Sequence, residues 1–240
     1  MRIADSSAGR EGSAVMKVGN ARYLTAKDLP GTLSVFPLSG VLLLPSGQLP
    51  LNIFEPRYLE MFDAALAGNR LVGIVQPSFH ENAKNEAASG PALCQVGCIG
   101  RITSLAETGD GRYVTSLGGV CRFRLMEEVN GHRPYRTFRI APFIADLSSD
   151  DEEATVDREG LLASFRAYLD ANKLEADWES VERASNITLV NSLSMMSPFG
   201  PAEKQALLEA PDLKTRAETL IAITEIHLAR AFGDADTVLQ

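Results

Sequence analysis

The hydrophobic and polar positions divide the chain into a part with strand-like patterns and a later part with helical periodicity. Between Leu33 and Phe143 the apolar residues come in short runs bounded by proline, glycine or polar residues, which is typical of β-strands. The sequences TGDGR and NGHRP separate pairs of such runs and predict two hairpins. We therefore expect six or more short antiparallel strands that close into a small barrel. The predicted strands have the sequences LSVF, VLLL, QLPLNIF, LVGIVQ, CQVGCIGRITSLAE, YVTSLGGV, CRFRLMEEV and YRTFRIAPF.

Prolines interrupt the most apolar stretch of the chain at nearly regular intervals. Pro37, Pro45, Pro50 and Pro56 all fall within the sequence VFPLSGVLLLPSGQLPLNIFEPRYLEMFDAAL. Because proline has no backbone N–H, it is confined to strand ends, edge strands and bulges, or to the first turn of a helix. We expect the prolines at strand ends to fix the corners of the barrel.

One helix interrupts the series of predicted strands. The period becomes helical after Pro56, which suits the first helical position, and Gly68 followed by Asn69 predicts the end of the helix. Tyr58 and Phe62 lie on its apolar face at helical spacing. We expect this helix to close one side of the barrel, with both aromatic rings in the core.

Beyond residue 153 the patterns are helical throughout. Four segments carry apolar residues at i, i+3 and i+4 spacing, and Pro198, Pro201 and Pro211 mark the breaks. Strands do not alternate with helices, so the predicted fold class is α+β, an antiparallel barrel followed by a helical bundle. The helical segments have the sequences REGLLASFRAYLDANK, WESVERASNITLVNSLSMM, PAEKQALLEA and DLKTRAETLIAITEIHLARAF.

Three segments follow from these patterns. Residues 1–30 are polar and without periodicity, so we expect a flexible amino-terminal segment with a short ordered piece near Tyr23. Residues 31–145 form the predicted barrel, and residues 154–232 form the predicted helical part. The acidic sequence DLSSDDEEATVD between them predicts an exposed connection.

The charge distribution supports this division of the chain. Residues 1–145 carry 15 Lys and Arg against 12 Asp and Glu, whereas residues 146–240 carry 8 against 19. The change in net charge from +3 to −11 at one position suggests two units with different surfaces.

Composition points to a cytoplasmic protein without a membrane segment. The apolar runs are far shorter than the ~20 residues that cross a bilayer, and the amino terminus lacks the apolar stretch of a secretion signal. Three cysteines, Cys94, Cys98 and Cys121, argue against a disulfide framework and for reduced, largely buried thiols.

No catalytic, metal or cofactor motif is found. The chain contains no Gly-Lys pair, which excludes a phosphate-binding P-loop, and no serine in a G-x-S-x-G elbow. Cys94 and Cys98 would lie about 13 Å apart on a strand, too far to share one zinc ion. We expect no cofactor and no enzymatic activity, although a hydrolase site assembled from scattered carboxylates stays open as an alternative.

The order of these signals resembles the amino-terminal substrate-binding domain of Lon proteases, over about residues 32–230. The segments that carry the resemblance are FPLSGVLLLPSGQLPLNIFEPRYLEMFDAAL, LVGIVQP, VGCIGRITSL, GGVCRFRL and FGPAEKQALLEAPDLKTRAETL. The resemblance implies a PUA-like β-barrel with an appended helical bundle. It also implies recognition of polypeptide, and it transfers no short catalytic motif.

Full-length Lon proteases continue into an ATPase module and a protease domain, and neither is present in this sequence. The resemblance therefore suggests the stand-alone form found in many bacteria, a non-catalytic polypeptide-binding protein of protein quality control. Its expected partners are unfolded or extended polypeptides, with a protease or a chaperone as a further partner.

The first candidate binding surface lies in the helical part. Met195, Met196 and Phe199, beside the break at Pro198, form a candidate peptide-binding patch, since methionine surfaces adapt to varied partners. The alternative is that all three side chains belong to the core of the helical part, which is the more common role of such residues.

The alternative function is RNA binding through the barrel. It rests on five arginines of the second hairpin, two of which alternate with Phe123 and Leu125 as on a strand with one wet face. A net charge of only +3 over residues 1–145 argues against nucleic acid as a partner. The arginines are Arg122, Arg124, Arg133, Arg136 and Arg139.

Overall fold

The computed structural model describes residues 15–79, 91–129, 131–148, 156–172, 175 and 177–237. The strands are β1 (Met16–Val18), β2 (Ala21–Tyr23), β3 (Thr32–Pro37), β4 (Gln48–Ile53), β5 (Leu71–Val75), β6 (Val96–Glu107), β7 (Tyr113–Glu128) and β8 (Thr137–Pro142). The helices are α1 (Pro56–Leu66), α2 (Arg158–Ala171), α3 (Trp178–Arg183), α4 (Asn186–Met196), α5 (Pro201–Glu209) and α6 (Leu213–Thr237).

Six strands form the barrel in the order β4-β7-β6-β5-β3-β8, and a further pairing of β7 with β8 closes it. Neighbouring strands are antiparallel except for β3 and β5, which pair in parallel. The predicted barrel followed by helices is therefore confirmed, with one parallel pair that the sequence did not reveal. The helix α1 lies in the connection between β4 and β5, which lets the chain return and place β5 beside β3.

β7 is one long strand where the sequence predicted two. Its first half pairs with β4 and its second half pairs with β8. The change occurs after Gly118 and Gly119, and a side chain at Gly119 would collide with the carbonyl oxygen of Leu44. The backbone of Gly119 also bonds to Ser46 and Gly47, at 3.0 and 2.9 Å. Because the two glycines have no side chains, the segment before β4 can pack against the backbone of β7, and the strand continues through them.

The apolar sequence VLLL, predicted as a strand, is not one. Leu42, Leu43 and Leu44 are buried, but they lie in an irregular segment between β3 and β4. A short apolar run cannot by itself distinguish a strand from an irregular core segment.

The prolines occupy positions that need no backbone N–H. Pro37 is the last residue of β3, and Pro45 lies outside any strand. Pro50 lies within β4, which pairs with β7 and with no other described strand. Pro56 is the first residue of α1.

Helix α1 matches its prediction. Phe62 is fully buried, and the ring of Tyr58 lies 4.3 Å from that of Phe36. Met61, which the periodicity did not single out, is buried as well. This face packs on the barrel core and fixes the helix against it.

Residues 15–30 differ from the expectation of a flexible segment. β1 and β2 form a two-stranded sheet, and Thr25 and Asp28 cap a 3₁₀ turn over Ala26–Asp28. Val18 and Tyr23 are buried in the second of two core clusters. Residues 1–14 lie outside the described part of the chain. The ordered piece predicted near Tyr23 corresponds to β2, and the rest was missed because short strands without periodicity give no sequence signal of their own.

The helical part follows the predicted segments, with one division. The third helix α3 ends at Arg183, and Ser185 caps α4 by accepting a hydrogen bond from the N–H of Thr188. A single helix was predicted across this cap. Pro201 stands at the first position of α5, as its fixed φ favours.

Helices and barrel share one hydrophobic core. A single cluster of buried side chains contains Phe62 and Leu117 of the barrel part together with Leu193, Leu207 and Leu213 of the helices. A division of the chain into a barrel unit and a helical unit near residues 146–153 stays a prediction, and residues 149–155 lie outside the described part.

Candidate functional site

Helix α4 has a composition that sets it apart in the helical part. Its sequence, NITLVNSLSMM, contains no charged residue. Because charged side chains usually mark the solvent face of a helix, a helix without them is expected to be covered by other elements. An open face on such a helix is therefore a candidate binding surface.

One face of α4 is held firmly against the barrel and α6. Val190 and Ser194 are fully buried on this face. Asn191 donates a hydrogen bond to the carbonyl of Pro45 at 3.0 Å and accepts one from Arg216 at 3.2 Å. These bonds fix the position of α4, so its opposite face is a rigid surface.

The opposite face of α4 opens into a groove of about 550 Å³ that it shares with α2 and α3. We call it the α2–α4 groove. Phe165 and Tyr168 of α2 line one wall, with ring centroids 6.3 Å apart, and Leu189 and Leu193 of α4 line the other. The lining is mostly apolar, which is the usual character of a site that binds apolar groups.

A second groove, of about 490 Å³, lies on the other side of the carboxyl end of α4. We call it the β4–α4 groove. Leu49 and Pro50 of β4 and Leu42 of the preceding segment line it, facing Met195. Within the described barrel the free edge of β4 lies next to this groove and offers carbonyl groups, with no N–H at Pro50, to an extended peptide that binds by strand addition.

Met196 stands between the two grooves and lines both of them, as does Ser192. Its side chain is 81% exposed, the largest exposed fraction among the large apolar residues described. Exposure of this kind costs free energy in the isolated protein, and it is typical of binding surfaces.

The structure separates the three residues predicted as a patch. Met195 is half-buried, lines the β4–α4 groove and packs over Gly47. Phe199 is buried, and its ring lies 6.2 Å from that of Tyr168 and 5.2 Å from that of His227. Of the three residues only Met196 is exposed, and Phe199 packs against Tyr168, which lines the α2–α4 groove.

The sequence prediction missed most of the groove-lining residues. Phe165, Tyr168 and Leu189 fall in segments that were predicted only as amphipathic helices, because spacing alone cannot tell a buried face from an open groove. The uncharged composition of α4 was the available signal.

The arginines of the alternative RNA-binding function do not form one exposed basic face. Arg122 is buried, so the prediction that it lies on a wet strand face is wrong. It pairs with Asp146 at 2.8 Å and donates to backbone carbonyls of Leu208 and Ala210. A buried carboxylate and helix carbonyls thus satisfy this guanidinium inside the molecule.

Three of the other arginines are paired with carboxylates. Arg136 binds Glu128 at 2.7 Å, and longer contacts join Arg139 to Glu127 and Arg133 to Glu60. These pairs neutralise much of the charge that RNA phosphates would need.

The cysteines are free thiols with suppressed reactivity. Cys98 and Cys121 are buried, as predicted, and Cys94 is half-buried. Burial raises the pKa of Cys121 to about 12 and raises the pKa of Cys98 strongly. Both therefore stay protonated at neutral pH, where a thiol is a poor nucleophile.

Neither a metal site nor a membrane-spanning helix is found among the described residues. Among them no three His, Cys, Asp or Glu side chains come together in a way that could hold a metal ion. None of the helices in the described ranges has the length and apolar character required to cross a membrane.

A third groove, of about 730 Å³, lies between the barrel and α5, but its lining is mixed. Cys94, Arg124 and Glu209 line it together with Gln205. Gln205 belongs to a buried network in which it donates to the carbonyl of Val96 and accepts from Gln76. The buried side-chain amides of Gln205 and Gln76 are therefore hydrogen-bonded within the protein, and they join α5 to the barrel.

Comparisons with known proteins identify the relatives of the chain. The family model of the ATP-dependent protease La (LON) substrate-binding domain matches residues 32–225. Lon protease 2 of Myxococcus xanthus is 25% identical over 222 residues, which cover 89% of this chain and 26% of that protein. A Lon protease of Parabacteroides distasonis is 29% identical over 201 residues, covering 80% of this chain and 23% of its own length. The chain thus spans about a quarter of the length of these relatives.

Two solved structures share the fold. A Lon N-terminal domain protein from Xanthomonas campestris superposes with a TM-score of 0.57 at 21% identity, covering 80% of this chain and 97% of the other. The N-terminal domain of a Mycobacterium avium complex Lon protease gives a TM-score of 0.60 at 18% identity, covering 82% and 99%. Barrel, helical part and family model agree, and we conclude that the chain belongs to the Lon substrate-binding domain family.

Proposed function

We propose that this protein is a non-catalytic polypeptide-binding module that captures extended, apolar segments of other proteins. The observation that carries the proposal is the position of Met196, 81% exposed at the end of an uncharged helix and between two apolar grooves. A flexible thioether at this position adapts to side chains of different shape. The family to which the chain belongs is named for substrate binding, which supports the same conclusion.

An extended segment fits this surface better than a folded partner does. The β4–α4 groove has the edge of β4 along one side, where main-chain hydrogen bonds would hold the backbone of the segment. The α2–α4 groove on the other side of Met196 would take its apolar side chains. In this proposal the protein presents the bound segment to a protease or chaperone and cleaves nothing itself.

We further propose that it acts in the cytoplasm. Cys98 and Cys121 are buried free thiols, as is usual where the surroundings are reducing.

The test is the affinity for a reduced, unfolded client protein, measured by fluorescence anisotropy. Met196→Asp places a charge between the grooves, and we expect it to weaken binding about tenfold or more, as at an interface hot spot. Met126→Asp is the matched control, because Met126 is 60% exposed on β7 and lines neither groove. Equal affinity of the two variants would contradict the proposed surface.

Salt dependence separates this function from RNA binding. Apolar burial is not screened, so we expect affinity for the client to change little between low and high salt. Binding of single-stranded RNA through phosphate contacts would instead fall steeply with salt. Tight, salt-sensitive RNA binding that is lost in Arg124→Glu, together with no client binding, would overturn the proposal.

A further inference from the structure

Lys204 brings a buried positive charge to the β4–α4 groove. It belongs to α5, its side chain is buried, and it is the only charged residue among the described residues that line the groove. The rest of the lining consists of apolar residues, glycine, proline, serine and glutamine. Removing a charge from water costs free energy unless a partner compensates for the lost hydration.

The protein compensates this charge only in part. An ammonium group has three N–H donors. Within the described part of the chain, the ammonium of Lys204 donates one hydrogen bond, to the carbonyl of Met195 at 3.1 Å, and forms no ion pair. The neighbouring Glu203 is engaged elsewhere, since it accepts from the N–H of Gly200 at 2.8 Å and lies 3.0 Å from Nε2 of His227. Burial lowers the pKa of Lys204, with no carboxylate nearby to oppose that effect.

The other two buried cations of the described chain are compensated more fully. Arg122 pairs with Asp146 and also donates to the carbonyl of Leu208. Arg216 donates to the carbonyl of Leu207 and to the side chain of Asn191. Lys204 differs from both because it borders an open groove and has donors to spare. The missing acceptor is therefore expected to arrive with a ligand.

The surroundings of Lys204 suit the end of a polypeptide. Leu42, Leu49 and Met195 offer apolar surface, and the free edge of β4 in the described barrel lies beside them. Because Lys204 is only 7% exposed, a carboxylate reaches it with least obstruction where no main chain continues beyond that carboxylate. A terminal carboxylate meets this condition and supplies the negative charge that the ammonium lacks.

We infer that the β4–α4 groove receives the carboxyl-terminal end of a bound polypeptide and that Lys204 pairs with its terminal carboxylate. This inference rests on the proposed function and gives the bound segment a direction. Its last residues lie along the edge of β4, and the apolar residues before them pass Met196 toward the α2–α4 groove.

The experiment uses one labelled apolar peptide in three forms. The first has a free terminal carboxylate, the second has a terminal amide, and the third has a terminal amide and a glutamate as its last residue. We expect the free-acid form to bind the full-length protein about tenfold more tightly than the amide form, as a charge-assisted hydrogen bond to a buried group would give. The glutamate form should bind like the amide form, because its main chain continues beyond the side-chain carboxylate.

Two variants of Lys204 locate this preference. Lys204→Met removes the charge, and Lys204→Gln removes the charge but keeps a donor for the carbonyl of Met195. Both should bind the free-acid and amide forms equally. Lys214→Met is the matched control, an exposed lysine of α6 that pairs with Glu218 and does not line the groove, and it should keep the tenfold preference. Thermal melting checks that each variant is folded.

The outcomes distinguish the inference from the proposed function. Equal affinity for the free-acid and amide forms in the unchanged protein, which needs no variant, would overturn the inference and leave polypeptide binding standing. A preference that survives in both folded Lys204 variants would do the same, and so would a glutamate form that binds as tightly as the free acid. Failure of every peptide while the unfolded client binds would overturn the inference alone, and failure of the client as well would overturn both.

Discussion

Phe54 and Phe62 lie eight residues apart in the sequence and in opposite environments. Phe62 is fully buried on α1, whereas Phe54, just before that helix, is 61% exposed. The helical period identified Phe62 as core from the sequence, because Tyr58 lies one turn before it on the same face. Nothing in the local sequence shows that Phe54 is exposed. That depends on where β4 ends relative to the core.

This contrast gives a prediction with an internal control. We expect Phe62→Ala to reduce the free energy of unfolding by about 3–5 kcal/mol, because it empties a well-packed site. Phe54→Ala should change it by less than about 1 kcal/mol. Urea denaturation followed by circular dichroism measures both, and similar losses would refute the assigned face of α1.

At the scale of elements, polar side chains join the barrel to the helices. Arg122 on β7 reaches the carbonyls that end α5, and Gln76 after β5 donates to Gln205 and to the carbonyl of Pro201 on α5. Asn191 joins α4 to the segment before β4. Hydrogen bonds are directional, so these contacts fix how each helix sits on the barrel in a way that apolar packing alone does not.

Arg122 is the most testable of these contacts. We expect Arg122→Met to cost about 3–5 kcal/mol of stability, since it leaves the largely buried carboxylate of Asp146 without its guanidinium partner. The double variant Arg122→Met with Asp146→Leu should recover part of that loss, because no unpaired charge is left behind.

The control for that variant is Arg139→Met. Arg139 is mostly exposed and lies 3.6 Å from Glu127, so its loss should cost at most about 1 kcal/mol. Equal costs at the two arginines, measured by chemical denaturation, would show that Arg122 does not join the elements as described.

The sequence predicted elements better than it predicted surfaces. Amphipathic periods located α1, α2, α5 and α6, because each has one face against the core. Arg122 was misplaced because a strand that is covered on both faces does not alternate in burial as an exposed one does. The α2–α4 groove could not be predicted either, since it depends on the distance between helices and not on the pattern within one.

At the scale of the whole molecule, one of the two core clusters is shared by the barrel and the helices, although the sequence suggests two units. The cluster that contains Phe62 and Leu207 crosses the predicted boundary. The acidic sequence DLSSDDEEATVD begins with Asp146, which pairs with Arg122, and the buried Leu147, but the run SSDDEE that follows contains no apolar residue. The two units should therefore be separable by cutting the chain and yet stay associated.

We predict that a protease specific for Glu and Asp first cuts within residues 150–153 under native conditions, because Asp146 is held in its ion pair with Arg122. The two fragments should coelute in size-exclusion chromatography and part only in denaturant, because they share buried surface. Mass spectrometry identifies the cut. Early cleavage within residues 55–75, or fragments that elute separately, would contradict this view of the molecule.

The pairing of β3 with β8 in the barrel has a consequence for how the protein is made. Ser34 of β3 and Thr137 of β8 touch across the sheet although they are 103 residues apart in the chain. During synthesis β3 emerges early, and its final neighbour β8 follows only after most of the barrel has left the ribosome. Contacts between such distant residues form slowly, and unpaired strand edges are exposed to aggregation meanwhile. A protein proposed to hold unfolded chains is thus itself, while it is being made, an unfolded chain with unpaired strands.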